Sequence, residues 1–142
     1  MATTRTAAAH WQGSLMEGSG QVELESSGIG TYPVSWPSRA EAANGKTSPE
    51  ELIAAAHSTC FSMALSHGLA QGGNPPDSLE TSATVSFVPG TGITKIALSV
   101  TGSVPGIDAE TFATAAQEAV ENCPVSKALA AVPEITLDAR LT

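Results

Sequence analysis

The chain has 142 residues, 42% of them hydrophobic. That is enough to bury a core covering about two-thirds of the unfolded surface without disulfide staples. Fourteen acidic against six basic residues give a formal charge of −8 and an isoelectric point near 4.6, so nucleic acids and anionic membrane surfaces are expected to be repelled. A single domain spanning 1–142 is the simplest reading.

The opening residues, Met1 to His10, are too short and polar for the core of a signal peptide, so a cytoplasmic location is expected. There, two cysteines are more readily reactive or incidental than a permanent bridge. Ala7 to Gly13 and Gly20 to Ser26 read as a β-hairpin, the second run alternating apolar and polar at Val22-Glu-Leu-Glu25. Ser27 to Lys46, rich in Gly, Pro, Ser and Asn and including Pro33, Trp36, Pro37 and Arg39, reads as a long ordered loop with one short strand at Thr31 to Val34.

Thr47 to Gly73 is the strongest helical stretch. Ser48 suits the N-cap, Pro49 the first helical position, and Glu51 completes a capping box. Gly72-Gly73 supplies the left-handed stop. From Leu52 to Ala70 only hydroxyl residues, Cys60 and two histidines interrupt the aliphatic and small residues, which predicts burial on most sides. A membrane span is the competing reading, disfavoured by His57, His67 and the hydroxyls, with no cation close to either end. The many small side chains suit close approach of a second helix and point to a partner chain.

After the turn Asn74 to Asp77, Leu79 to Val88 and Ile93 to Val104 pair around Pro89-Gly-Thr-Gly92. Asp108 caps a helix to about Asn122, with Phe112, Ala115, Ala116 and Val120 at helical spacing. Pro124 starts a short helix over Val125 to Ala131, which puts Cys123 at its N-cap. Glu134 to Leu141 alternates as a half-buried final strand. The fold class is α+β.

Cys60 reads either as a buried structural thiol or as a nucleophile. Cys123, facing unpaired N–H groups at a helix start, favours the pairing of an attacking with a resolving thiol. His57 and His67 allow a Cys–His nucleophile pair, hence a cysteine-dependent hydrolase, or with the two cysteines a zinc site. The alternative for both is packing in a helical interface. A non-catalytic dimer binding an apolar ligand also stays open. The glycine pairs near Gly28 and Gly90 lack the setting of a phosphate cradle. Arg39 is a candidate for lowering a thiol's pKa, and Glu50 for holding that arginine. Glu50 lies about 15 Å along a helix axis from Cys60. A site using both therefore requires the helix to break or Glu50 to come from a partner subunit.

Pro49-Glu-Glu-Leu-Ile-Ala-Ala-Ala-His-Ser-Thr-Cys60-Phe-Ser-Met-Ala-Leu-Ser66, with Ile93 to Leu98, Val104 to Asp108 and Asn122-Cys-Pro-Val-Ser126, resembles the OsmC/Ohr family of peroxidases. His57 three residues before Cys60 resembles the OsmC branch. The resemblance implies an intertwined α+β homodimer: an N-terminal β-hairpin, a long central buried helix carrying Cys60, a second hairpin, two C-terminal helices and a final strand. It also implies reduction of hydroperoxides with an external dithiol as reductant and no metal, haem, flavin or other cofactor. In that pattern Cys60 matches the peroxidatic cysteine, Cys123 the resolving cysteine that closes an intrachain disulfide, Arg39 the activating arginine and Glu50 its carboxylate partner. Met63, Phe61 and Trp36 are expected to favour organic hydroperoxides over hydrogen peroxide.

Overall fold

A computed structural model describes residues 1–142, which divide into two compact units, Met1–Leu52 and Ile53–Thr142. The first is built on a three-stranded antiparallel sheet in the order β1 (Ala8–Gln12), β2 (Ser19–Glu23) and β3 (Thr31–Val34). Trp11 stands opposite Gly20, and Val22 opposite Tyr32. Gly20 is needed there, since a Cβ would meet the His10 carbonyl oxygen and the Trp11 ring.

The stretch Ser27 to Lys46, expected to be loop apart from the strand at Thr31–Val34, also contains a short helix, α1 (Trp36–Ala40). Ser35 caps it, accepting from the Ser38 N–H at 3.2 Å, while the Ser38 hydroxyl accepts from the Ser35 N–H at 3.1 Å. Two serines thus satisfy the orphan amides of a helix too short to register as a sequence period. The Ser38 hydroxyl lies also 3.2 Å from the Thr47 carbonyl oxygen, tying α1 to the segment before the next helix.

That helix, α2 (Pro49–Gln71), starts as expected. The Glu51 N–H donates to Ser48 Oγ at 3.1 Å. The Glu51 carboxylate, however, accepts from the Thr47 hydroxyl at 2.6 Å. At the other end Gly73 adopts φ +89°, and the Asn74 N–H reaches back to the Leu69 carbonyl at 2.9 Å, closing the turn as a left-handed cap does.

The second unit contains a sheet in the order β4 (Ser78–Val88), β5 (Gly92–Ser103) and β6 (Glu134–Leu141). β4 and β5 are antiparallel, and their turn carries Pro89 followed by Gly90 at φ +83°, the pairing a type II turn demands. β6 runs parallel to β5, so the connection must cross over, and α3 (Ala109–Asn122) and α4 (Pro124–Ala128) make that crossing. Asp108 caps α3 by accepting from the Thr111 N–H at 2.8 Å. α4 ends at Ala128, three residues short of the expected Ala131.

The core of this unit joins Phe61, Leu65 and Leu69 of α2 to Val100 of β5, Val104, and Phe112, Ala116 and Ala119 of α3. Full burial of Phe61 and Leu65 stabilises by about 1.5–3 kcal/mol each. Within this chain α2 is buried along one side. One stripe, His57-Phe61-Leu65-Leu69, is sealed, whereas Ala55, Ala56, Met63, His67 and Ala70 are exposed, Met63 to 67%. Uniform apolarity along a helix therefore does not mark burial within one chain.

Candidate active site

Both thiols are free and lie in the second unit. α2 carries Cys60 one residue before Phe61, so the buried stripe that anchors Phe61 also fixes the sulfur at the edge of the core. Cys123 is fully buried between α3 and α4. Its backbone is extended (φ −62°, ψ 121°), the conformation that the ring of Pro124 imposes on the preceding residue. Its N–H closes α3 on the Ala119 carbonyl at 2.9 Å, and its carbonyl opens α4 by accepting from the Lys127 N–H at 3.1 Å.

Each thiol bears on the other's ionisation. Burial pushes the Cys60 thiol up, and donating to Cys123 pushes it further, with the Val125 N–H opposing. Burial also acts to raise Cys123. It is outweighed by the hydrogen bond from Cys60, the Ser126 N–H, the Ser126 hydroxyl and the Val125 N–H, which together hold Cys123 below its ordinary value. The sulfur makes no cap hydrogen bond of standard N-cap geometry; the amides act on it as nearby dipoles.

His57 lies one turn before Cys60 and is completely buried. Its Nε2 is 2.7 Å from Ser126 Oγ, its Nδ1 has no hydrogen-bond partner, and burial lowers its pKa. His57 is therefore packed between elements, as one reading of the sequence held, and its Nε2 is committed to Ser126 rather than to Cys60. No hydrogen bond of the kind the Cys–His hydrolase reading requires joins His57 to Cys60. His67 is exposed, beside a groove lined by Met63, Asp77 and Ser78. No group of three or more His, Cys, Asp and Glu side chains is arranged to hold a metal ion, so the zinc set of His57, Cys60, His67 and Cys123 is not assembled.

The first unit brings Arg39 and Glu50 together. Arg39 Nε lies 3.0 and 3.2 Å from the two Glu50 oxygens, and Nη2 lies 3.0 Å from Oε2. Glu50 is 7% exposed, and a forked, charge-assisted contact of this kind fixes the guanidinium plane. Beside Arg39 opens a cleft of about 290 Å³ whose apolar wall includes Trp11, Leu15, Val34 and Trp36. Of the side chains expected to make the substrate pocket apolar, Trp36 lines this cleft. Phe61 is sealed in the core of the second unit, which corrects its assignment, and Met63 lies on an exposed groove of that unit.

Ser126 and its bond to His57 carry no expectation from the sequence. The available signal is spacing: Ser126 stands three residues after the N-cap Cys123, in the first turn of α4.

An α+β chain with two free thiols, Cys60 half-buried on α2 and Cys123 buried at the α3–α4 junction, has the organisation of a dithiol redox protein. A sequence model of the OsmC family, described as OsmC-like protein, matches residues 42–138. The chain is 48% identical over 136 residues, 94% of its length and 93% of the relative's, to peroxiredoxin OsmC of Escherichia coli (strain K12). The chain belongs to the OsmC family. Among solved structures it resembles the organic hydroperoxide resistance protein OhrB of Bacillus subtilis (TM-score 0.68, 25% identity, 96% of this chain and 98% of that one). The organic hydroperoxide resistance protein OsmC of Legionella pneumophila shares the fold (TM-score 0.72, 22% identity, 98% and 99% of the two chains). No helix is long and apolar enough to cross a membrane.

Proposed function

We propose that this protein is a thiol-dependent peroxidase that reduces organic hydroperoxides, and hydrogen peroxide less well, at Cys60, with Cys123 as the resolving thiol. The observation that carries the reading is the presence of two free thiols, Cys60 on α2 and Cys123 at the α3–α4 junction, in a chain of the OsmC family. The Cys60 thiolate attacks the distal peroxide oxygen. An S–O bond forms, the O–O bond breaks, and the alkoxide takes up a proton and leaves as alcohol. Cys123 then attacks the sulfenic sulfur, closing the disulfide, expelling hydroxide and preventing further oxidation of Cys60. An external dithiol restores both thiols by exchange.

Peroxide attack needs the negative charge on Cys60, whose thiol is pushed up by burial. A cation must therefore reach Cys60. We assign this role to Arg39, oriented by Glu50, from the partner subunit of a homodimer, with the whole 142-residue chain acting as one domain in each protomer. Three observations support this. α2 does not break between Glu50 and Cys60. Its small exposed residues Ala55, Ala56 and Ala70 leave room for a second helix. The first unit exposes Trp11, Leu15, Met16, Ile29 and Tyr32, more large apolar surface than a solvated sheet needs. The apolar wall beside Arg39 is the basis for preferring organic hydroperoxides, and reliance on reduced thiols places the enzyme in the cytoplasm.

The test is a thiol count before and after one equivalent of cumene hydroperoxide, with peptide mapping. Loss of both thiols into a Cys60–Cys123 bridge, and a sulfenate trapped on Cys60 in Cys123→Ser, is the expected result. Survival of both thiols overturns the reading.

A further inference from the structure

We infer that the hydrogen bond between His57 and Ser126 is a strut that sets the separation of Cys60 from Cys123 for disulfide closure, so that both are positioning residues of the resolving step. The inference rests on the reading of Cys60 and Cys123 as attacking and resolving thiols.

α4 is five residues long, too short to persist as a helix by itself, so its place is fixed by what it touches. Ser126 is its one buried residue. The Ser126 hydroxyl is bonded to the His57 ring, Oγ and Nε2 lying 2.7 Å apart. That bond ties the first turn of α4 to α2.

Each end of the bond stands one helical turn from a cysteine. On α2, His57 precedes Cys60 by three residues, a spacing that puts the two on one face about 4.5 Å apart along the axis. At the other end, Ser126 follows Cys123, the N-cap of α4, by three residues. A hydrogen bond restricts distance and angle together, whereas apolar burial is non-directional.

The residue type at position 57 points the same way. The other members of its stripe, Phe61, Leu65 and Leu69, are apolar and sealed in the core. His57 Nδ1 is the one buried side-chain nitrogen or oxygen without a hydrogen-bond partner. The ring therefore destabilises a site where leucine would leave no polar atom unpaired. What the imidazole supplies in return is the reach of Nε2 to α4.

In the step served, the Cys123 thiolate gives an electron pair to the sulfenic sulfur of Cys60. The S–S bond forms and the S–O bond breaks. Hydroxide leaves and takes up the proton that Cys123 released on ionising, while the Cys60 sulfur is reduced as the Cys123 sulfur is oxidised. His57 and Ser126 exchange no proton with either sulfur; they hold the distance across which the sulfurs meet, to which an intramolecular attack is sensitive.

The test equilibrates the full chain with glutathione and reads the reduction potential of the Cys60–Cys123 pair. His57→Leu, Ser126→Ala and the double variant should each destabilise the disulfide about tenfold, raising the potential by about 30 mV. The three shifts should be equal, because one bond can be broken only once. His57→Gln, whose amide nitrogen can reach the place of Nε2, should return most of the loss. The double variant strands neither partner, so it keeps the fold and decides the matter if a single variant does not fold. After peroxide, the ratio of sulfinic acid to disulfide should rise about tenfold in the double variant, a ratio independent of how fast the sulfenate forms. An unchanged potential in the double variant overturns the strut. So do single shifts that add to about a hundredfold, the mark of two independent packing losses. A parent whose thiols pair under oxidised glutathione but survive cumene hydroperoxide removes the peroxidase reading, while the potentials still decide the strut.

Discussion

Arg39 grips Glu50 through two of its nitrogens at 3.0 to 3.2 Å, and the carboxylate it holds is almost wholly buried. Substituting either residue breaks a fork that a point charge cannot replace. Under the proposed mechanism, Arg39→Ala and Glu50→Gln should each slow sulfenate formation on Cys60 at least tenfold, and Arg39→Lys should recover little of the loss. Stopped-flow consumption of cumene hydroperoxide measures this. Rates within twofold of the parent for all three variants would remove Arg39 and Glu50 from the mechanism.

The composite site implies an obligate homodimer. Sedimentation at assay concentration should find a dimer, and mixing Arg39→Ala protein with Cys60→Ser protein should yield heterodimers with one intact site. Activity recovered on mixing two inactive variants is the expected outcome. A stable, fully active monomer contradicts it.

Burial lowers the pKa of His57 from 6.5. The unfolded chain therefore binds a proton that the folded chain refuses over the interval below 6.5, and stability falls as the pH drops through that interval. Urea unfolding between pH 7 and 5 should show this slope, and His57→Gln, which cannot protonate, should flatten it. An unchanged slope in the variant assigns the acid sensitivity to other groups.

Pro124 holds Cys123 in the extended conformation that ends α3 and starts α4. Replacement by alanine lets helix run through Cys123 and turns its sulfur away from Cys60. Pro124→Ala should thus leave the peroxide step working but divert the sulfenate towards the sulfinic acid. Mass spectrometry after repeated peroxide additions detects the extra oxygen on Cys60.

A Cβ on Gly102 would stand 2.5 and 2.6 Å from two Phe112 ring carbons and 3.1 Å from Leu79. Gly102→Ala should accordingly cost about 1–3 kcal/mol through overpacking, and Phe112→Leu in the same chain should return part of it. Thermal unfolding of the two variants checks the pairing.

Much of this was legible in the sequence because it is local. Ser48 and Pro49, Asp108, Gly73 and the Pro89-Gly90 turn each specify a boundary through their own backbone chemistry, and the α+β order followed from them. α1 was not legible: five residues complete little more than one turn, and its cap is a serine pair within a run of turn-forming residues. Which face of α2 its own chain covers was not legible either, since a face buried by its own chain and one waiting for a second chain carry the same apolar residues. Of the site, Cys60, Cys123, Arg39 and Glu50 could be singled out by type and position. The His57–Ser126 contact spans 69 residues, and no local pattern connects its ends.

The placement of β6 has a consequence for how the second unit folds. β5 is the middle strand of its sheet, and the β4–β5 hairpin can form from neighbouring residues. The parallel partner arrives only after α3 and α4 have crossed over. Until then one entire edge of β5 presents open amides and carbonyls to any other chain. Refolding at high concentration therefore sets docking of β6 in competition with capture of that edge by a neighbouring molecule, and dilution favours the native strand.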